Sequence, residues 1–168
     1  MTPPRMLLGA VTIVSALLVQ TTVIARLPLP GSVPDLLLVL VLAYALIEGP
    51  LSGLVTGFSA GLLADLVADH QLGRLALAYA VAGYAVGLLD EDSDRSMSLP
   101  FVAVGLGAAS ALLIFAAEGV LLGDARVTVS AVLRGLTSSV PYDVLLTPFV
   151  VPVIGALVRR VDLDPLRR

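Results

Sequence analysis

Six apolar runs separated by short polar segments dominate the chain and predict six membrane-spanning helices. The runs cover about 6–25, 34–47, 51–66, 75–89, 100–122 and 140–158. Several approach or exceed the roughly 18 apolar residues that a span requires. The second and third are short, since 14 residues rise only about 21 Å, whereas the hydrocarbon core is about 30 Å thick. Either the turn between them enters the membrane, or both helices extend beyond these limits.

The composition agrees with an integral membrane protein. Of the 168 residues, 58% are hydrophobic and 14% are charged, with a mean hydropathy of +1.01. Soluble domains are typically about 45–50% apolar and about 25% charged. The first apolar run is longer than the 7–15 residues of a signal-peptide core, which predicts a retained first span. We therefore expect an all-α, polytopic membrane helix bundle that forms one domain over residues 1–168.

Between the fifth and sixth spans, apolar residues recur near helical spacing and predict a segment lying along the membrane interface. These residues are Val129, Val132, Leu133 and Leu136. In the sixth span, Pro148 and Pro152 are expected to kink the helix, because proline removes a backbone donor.

Several function classes lack the residues they require. There is no cysteine, and the single histidine, His70, falls in a polar loop. These features exclude thiol chemistry and disfavour a histidine-based metal or hydrolase site. The glycines precede no lysine, so they form no phosphate loop. A net charge of −3 argues against a nucleic-acid partner. We predict no cofactor, no metal site and no catalytic activity.

The distribution of arginine predicts the orientation. With six spans both termini lie on one side, and that side carries six arginines against four on the other. The densest basic cluster is the C-terminal tail, 159–168. The positive-inside rule then places both termini in the cytoplasm. A five-span alternative would put the basic tail outside.

The third span carries a regular series of small residues. Gly53, Gly57 and Gly61 are four positions apart, and Asp65 continues the series. Each interior glycine costs about 1 kcal/mol relative to alanine in a helix. In lipid, however, small residues at this spacing let helix backbones approach closely. We expect a central packing helix with Asp65 pointing into the bundle; the alternative is a helix-end acid at the headgroups. A second column of small residues lies beside the glycines: Ser52, Thr56 and Ala60.

Acidic residues from four spans fall near the outer ends of their helices in this orientation. Intramembrane acids are costly and usually face a cavity or a partner, so we predict a polar cluster at the outer mouth. The alternative is that each acid caps or ends its own helix. The acids are Asp35, Asp65, Glu118 and Asp143, joined by Gln20, Thr21 and Thr22, with Arg26, Arg74, Arg126 and Arg134 nearby.

Several short motifs follow one another in the first half of the chain: Gln20-Thr21-Thr22, Pro34-Asp35, Gly49-Pro50, the glycine-spaced third helix, Asp65-Leu66, and Leu72-Gly73 with Leu75. In this order they resemble the MreD family of bacterial rod shape-determining membrane proteins. The likeness covers about residues 11–88. The family usually has a small residue or asparagine where Arg74 stands.

The resemblance implies a non-enzymatic scaffold of the cell-elongation and peptidoglycan-synthesis machinery in the plasma membrane. The implied partners are the bitopic protein MreC, a RodA-type glycosyltransferase, a class B penicillin-binding transpeptidase, the actin-like MreB and membrane lipids. We expect Gln20, Asp35 and Asp65, at the outer ends of the first three spans, to form the partner surface.

The family is also similar to the six-helix substrate-binding components of energy-coupling-factor vitamin transporters. That likeness implies an alternative function, the binding of a small molecule in an outer cavity. Many of those proteins carry an A-x-x-x-A pair in the first span. This chain lacks it, with alanines only at Ala10, Ala16 and Ala25.

Overall fold

The computed structural model describes residues 3–68, 71–90 and 98–162, and its regular secondary structure is entirely helical. His70 and most of the acidic loop after the fourth span lie outside these residues, as do Arg95 and the last two arginines. The helices are α1 (Pro3–Thr22), α2 (Leu36–Glu48), α3 (Pro50–Val67), α4 (Arg74–Gly87), α5 (Leu99–Leu121), α6 (Val129–Arg134) and α7 (Val140–Asp162), with short 3-10 turns at Ile24–Arg26 and Leu88–Asp90.

The predicted all-α membrane helix bundle is confirmed. Four stretches are long and apolar enough to cross a membrane: 4–26, 50–67, 99–121 and 129–161. The other two apolar helices, α2 and α4, are shorter, at 13 and 14 residues. The tight turn at Gly49, where φ is +86°, sets the end of α2 and the start of α3. Helix α3 extends one residue beyond each of its predicted limits, whereas α2 begins two residues later than predicted and ends one residue later, at Glu48.

Helix α2 occupies the centre of the bundle. Its residues 37–45 are all buried, and it packs against α1, α3, α4, α5 and α7. The prediction that the third span is central is wrong, because α3 leaves Leu51, Phe58 and Leu66 exposed on its far side. The physical reason is that α2 is apolar all round, which suits a surrounded helix. Helix α3 buries one side, which consists mostly of small residues.

The glycine series of α3 packs directly against α4. A Cβ atom added to Gly57 would lie 2.7 Å from the carbonyl carbon of Tyr79, and one added to Gly61 would lie 2.5 Å from the Cα of Ala76. Gly53 and Gly83 face each other in the same way. No side chain larger than hydrogen fits between the two backbones. The glycines thus allow the close helix contact that small residues provide in lipid.

The segment before the last span is helical and merges with it. Helix α6 continues into α7 through one π-helical turn at Gly135–Ser139, in which the N–H of Val140 donates to the carbonyl of Gly135. The wider turn suits the next residue, Pro141, which has no N–H to donate and would crowd the carbonyl of an ordinary turn. Val129 and Leu133 of α6 are exposed.

Candidate functional site

One end of the bundle gathers most of the polar side chains predicted from the sequence. The alternating helix directions bring together the C-terminal ends of α1, α3 and α5 and the N-terminal ends of α2, α4 and α7. We call this region the acidic end. Its carboxylates are Asp35, Asp65, Glu118, Asp124 and Asp143.

Asp35 joins three helices. Its carboxylate accepts a hydrogen bond from the N–H of Leu38 at 3.1 Å and so caps α2. Its second oxygen accepts one from the hydroxyl of Tyr79 on α4. Its own N–H donates to the carboxylate of Asp143 on α7 at 2.6 Å. Asp143 is 2% exposed, so this contact fixes the start of α2 against the first turn of α7 inside the protein.

Gln20 ties the end of α1 to the same point. Its amide nitrogen donates to the carbonyl of Pro34 at 2.9 Å, and its amide oxygen accepts from the N–H of Leu36 at 3.0 Å. Thr21 is different, because its hydroxyl donates only within its own helix, to Leu17 and Leu18 at 2.9 and 3.2 Å. Thr21 is therefore an exposed neighbour of the network, not a member of it.

Asp65 caps a helix other than its own. Its two oxygens accept hydrogen bonds from the N–H groups of Gly73, Leu75 and Ala76 at 2.8, 3.1 and 3.2 Å. These groups belong to the first turn of α4, where backbone donors have no partner within the helix. Asp65 is 2% exposed, so no bulk water replaces it there. Asp65 thus joins the C-terminal end of α3 to the N-terminal end of α4.

Arg74 links α4 to α5 and to the loop that follows it. Its guanidinium donates to the carboxylate of Asp124 at 2.8 Å and to the carbonyl of Phe115 at 3.1 Å. It also lies 4.0 Å from the centre of the Phe115 ring, a distance at which a cation is attracted to an aromatic face. A Cβ added to Gly119 would lie 2.5 Å from this guanidinium, so the glycine makes room for it.

Glu118 is the exception among the predicted acids. Within the described ranges, both of its carboxylate oxygens are buried without a hydrogen-bond partner, as is the Nε of Arg74. The charge of Arg74 attracts Glu118. The contact that the structure shows for this guanidinium with an acid is the hydrogen bond to Asp124.

Two cavities flank the pair formed by Asp35 and Tyr79. One, of about 100 Å³, lies between α2, α4, α5 and α7 and is also lined by Asp143. The other, of about 310 Å³, lies beside α1 and is also lined by Gln20 and Thr21. In the part of the chain that the structure describes, no three histidine, cysteine or acidic side chains are placed to hold a metal ion.

The polar network lies within a region that matches a known family. A family model, described as rod shape-determining protein MreD, matches residues 4–158 of the chain. The chain belongs to the MreD family. Comparisons with the curated proteins and with the solved structures each give no significant match. The MreD match extends the resemblance seen over residues 11–88 into α7, and family membership indicates a role in determining rod shape.

Sequence reasoning missed two members of the acidic end in this MreD-family chain. Tyr79 is not among the predicted site residues, but its hydroxyl donates a hydrogen bond to Asp35. The signal was available, because a buried tyrosine hydroxyl usually finds a hydrogen-bond partner. Asp124 was not considered, and nothing in its loop sequence separates it from a solvated acid. Arg74, expected near the acids, is the residue to which Asp124 binds.

The ion pair of Asp124 predicts a pH dependence of stability for this MreD-family chain. The hydrogen bond from Arg74, with two more from Arg126, lowers the pKa of Asp124 from 3.8 to about 2. A carboxyl whose pKa is lower in the folded state stabilises that state above its unfolded pKa. This stabilisation is lost as the pH falls from about 4 towards 2. We expect thermal unfolding in detergent to show the loss.

The matched variant for this measurement is Asp124→Asn, which cannot titrate. It should be less stable than the wild type at neutral pH, and the difference should shrink below pH about 4. An equal difference at all pH values would show that the ion pair does not contribute as described.

Proposed function

We propose that this chain is a non-enzymatic scaffold of the cell-elongation machinery and binds an MreC-like bitopic partner at the acidic end. One observation carries the proposal beyond family membership. The carboxylates of Asp35, Asp65 and Asp143 accept hydrogen bonds from backbone N–H groups of helix ends. They thereby join the ends of neighbouring helices to one another. Helix ends that are joined by hydrogen bonds keep their positions, as expected of a protein that offers a rigid surface to a partner.

The proposed partner surface surrounds Gln20, Asp35 and Asp65 at the ends of the first three helices. Their polar groups face inward, so the partner would meet the exposed residues beside them. Those residues are Thr21, Thr22, Val23, Leu66 and Val67. A scaffold shifts a partner between states only through contacts that differ between those states. We infer that the polar network holds these exposed residues in fixed positions. The surface can then bind one conformation of the partner more tightly than another.

The further partners and the location follow from the same proposal. The chain would lie in the plasma membrane with both termini in the cytoplasm, where MreB acts. A RodA-type glycosyltransferase and a class B penicillin-binding protein would join through the same assembly. The opposite end of the bundle supports this orientation, because it carries Arg5, Arg159 and Arg160.

Co-purification from native membranes tests the proposed surface. We expect Thr21→Trp to reduce the recovery of an MreC-like protein by about tenfold, because overpacking an interface with a rigid ring costs about 1–3 kcal/mol and a factor of ten corresponds to about 1.4 kcal/mol. The matched control is Ser59→Trp. Ser59 is exposed on the middle of α3, and its hydroxyl bonds only its own helix, to Val55 at 2.8 Å. Equal recovery with both variants would move the partner to another face.

A second candidate function is favoured by one cavity. The space of about 310 Å³ beside α1 is lined by Gln20, Asp35 and Tyr79, and it reaches the lower limit of about 300 Å³ for ligand pockets. A small-molecule-binding component of an energy-coupling-factor transporter would use such a cavity. Recovery of a coupling ATPase pair without an MreC-like protein in the same co-purification would favour this candidate over the scaffold.

A further inference from the structure

The loop between α5 and α6 lies between two cavities that share Asp124 and Arg126. The first is apolar and about 280 Å³ in volume; the second is polar and about 450 Å³. The apolar cavity is also lined by Leu112, Phe115, Ala116, Val127, Ala131 and Val132. The polar cavity is also lined by Gln71, Arg74 and residues 122, 123 and 125. An apolar space next to a polar, charged one suits a ligand that is itself amphipathic.

Two guanidinium groups meet one carboxylate at the boundary between these cavities. Arg74 and Arg126 bind the two oxygens of Asp124 at 2.8 and 3.2 Å. The Arg74 side chain is 4% exposed, whereas that of Arg126 is 67% exposed. Glu118 also attracts the charge of Arg74. Arg126 is the more exposed of the two guanidinium groups and is therefore the one that an anion entering from outside would reach first.

The position of the two cavities along the bundle fits the membrane. Helix α5 has 23 residues and so spans about 35 Å, slightly more than the hydrocarbon core of about 30 Å. Its C-terminal end and the following loop therefore reach the headgroup level. Leu112 and Ala116 lie one to three turns earlier, at the level of acyl chains. The apolar cavity thus lies at the level of lipid chains, and Arg126, in the loop after α5, lies at the level of lipid phosphates.

We propose that the two cavities together bind one anionic phospholipid, with its phosphate on Arg126 and one acyl chain in the apolar cavity. This inference is independent of the proposed scaffold function. The recognised chemistry is a phosphate attached to a long apolar chain. Asp124 holds the arginines when no lipid is bound and competes with the phosphate. Its removal should therefore strengthen binding, whereas removal of Arg126 should weaken it.

Native mass spectrometry of the full chain in detergent, titrated with dioleoyl phosphatidylglycerol, tests the site. We expect Arg126→Gln to weaken binding about fivefold, the effect of one basic residue at an anionic membrane surface. Asp124→Asn should strengthen binding by a similar factor. Arg134→Gln is the matched control, because Arg134 is an exposed arginine on α6 that lines neither cavity. If Arg126→Gln and Arg134→Gln weakened lipid binding equally, the effect would come from general surface charge, and the proposal would be overturned.

The chain-binding part of the site has its own test. Ala131→Phe fills the apolar cavity from α6, and we expect it to abolish the tightly bound phosphatidylglycerol while the unfolding temperature stays within a few degrees of the wild type. Inorganic phosphate at the same concentration should not compete with the lipid. If inorganic phosphate displaced the lipid completely, the site would bind a free anion and not a phospholipid. If the Ala131→Phe variant bound the lipid as well as the wild type, no acyl chain would occupy the apolar cavity. Weaker binding by Asp124→Asn would contradict the role given to Asp124.

Discussion

Replacing Gly57 by alanine is expected to lower the free energy of unfolding by about 3 kcal/mol, the upper part of the range for overpacking. The added methyl carbon would lie 2.7 Å from the carbonyl carbon of Tyr79 and even closer to its oxygen. These are backbone atoms, so no side-chain rotation relieves the clash and α3 must move away from α4. Thermal unfolding in detergent measures the effect.

The chain offers a matched control for this substitution in Gly9→Ala. Gly9 also lies inside a helix, α1, but a Cβ added there has no neighbour within 4 Å. Alanine should be neutral there or stabilising by up to about 1 kcal/mol, because it favours helix more than glycine does. If both variants behaved alike, the close contact between α3 and α4 would not be what stabilises this part of the bundle.

Replacing Asp65 by alanine is expected to cost about 3 kcal/mol or more, because it leaves buried backbone donors without an acceptor and each such group costs about 1–3 kcal/mol. The donors are the N–H groups of Gly73, Leu75 and Ala76. Limited proteolysis should then cut between α3 and α4, and the unfolding temperature should fall.

The variant Asp65→Asn separates the capping role from the charge. An amide has one acceptor oxygen, which at the position of Oδ2 still accepts from Gly73 and Ala76, while its NH2 group cannot accept from the N–H of Leu75. Its loss of stability should therefore be smaller than that of alanine. If asparagine were as harmful as alanine, the two hydrogen bonds to Gly73 and Ala76 would not be what stabilises this position.

The glycine spacing predicted a close helix contact but not its partner. Residues four apart share one face of a helix, so the row from Gly53 to Gly61 had to offer a narrow surface to some neighbour. Both α2 and α4 present small residues, such as Ala45 and Gly83, and both lie against Gly53. Which of them fills most of the surface depends on how the helices rotate about their axes, and hydropathy does not record that rotation.

The sequence predicted that the acidic residues lie at the same end of the bundle, but not which residues they bind. Helices that alternate in direction return their polar ends to the same level, which places Asp35, Asp65 and Asp143 together. The partners were not predictable, because Tyr79 is 44 positions from Asp35 and Arg74 is 50 from Asp124. Contacts of this separation require the packing of the whole bundle.

The sequence by itself determined that the chain forms membrane helices. Long apolar runs in lipid can satisfy their backbone groups only within a helix, whatever surrounds them. The tertiary structure alone decided that α2 is central, that Asp65 caps α4, and that Arg74 binds Asp124. These features depend on the depth and rotation at which neighbouring helices meet, and many sequences with the same hydropathy pattern would set them differently.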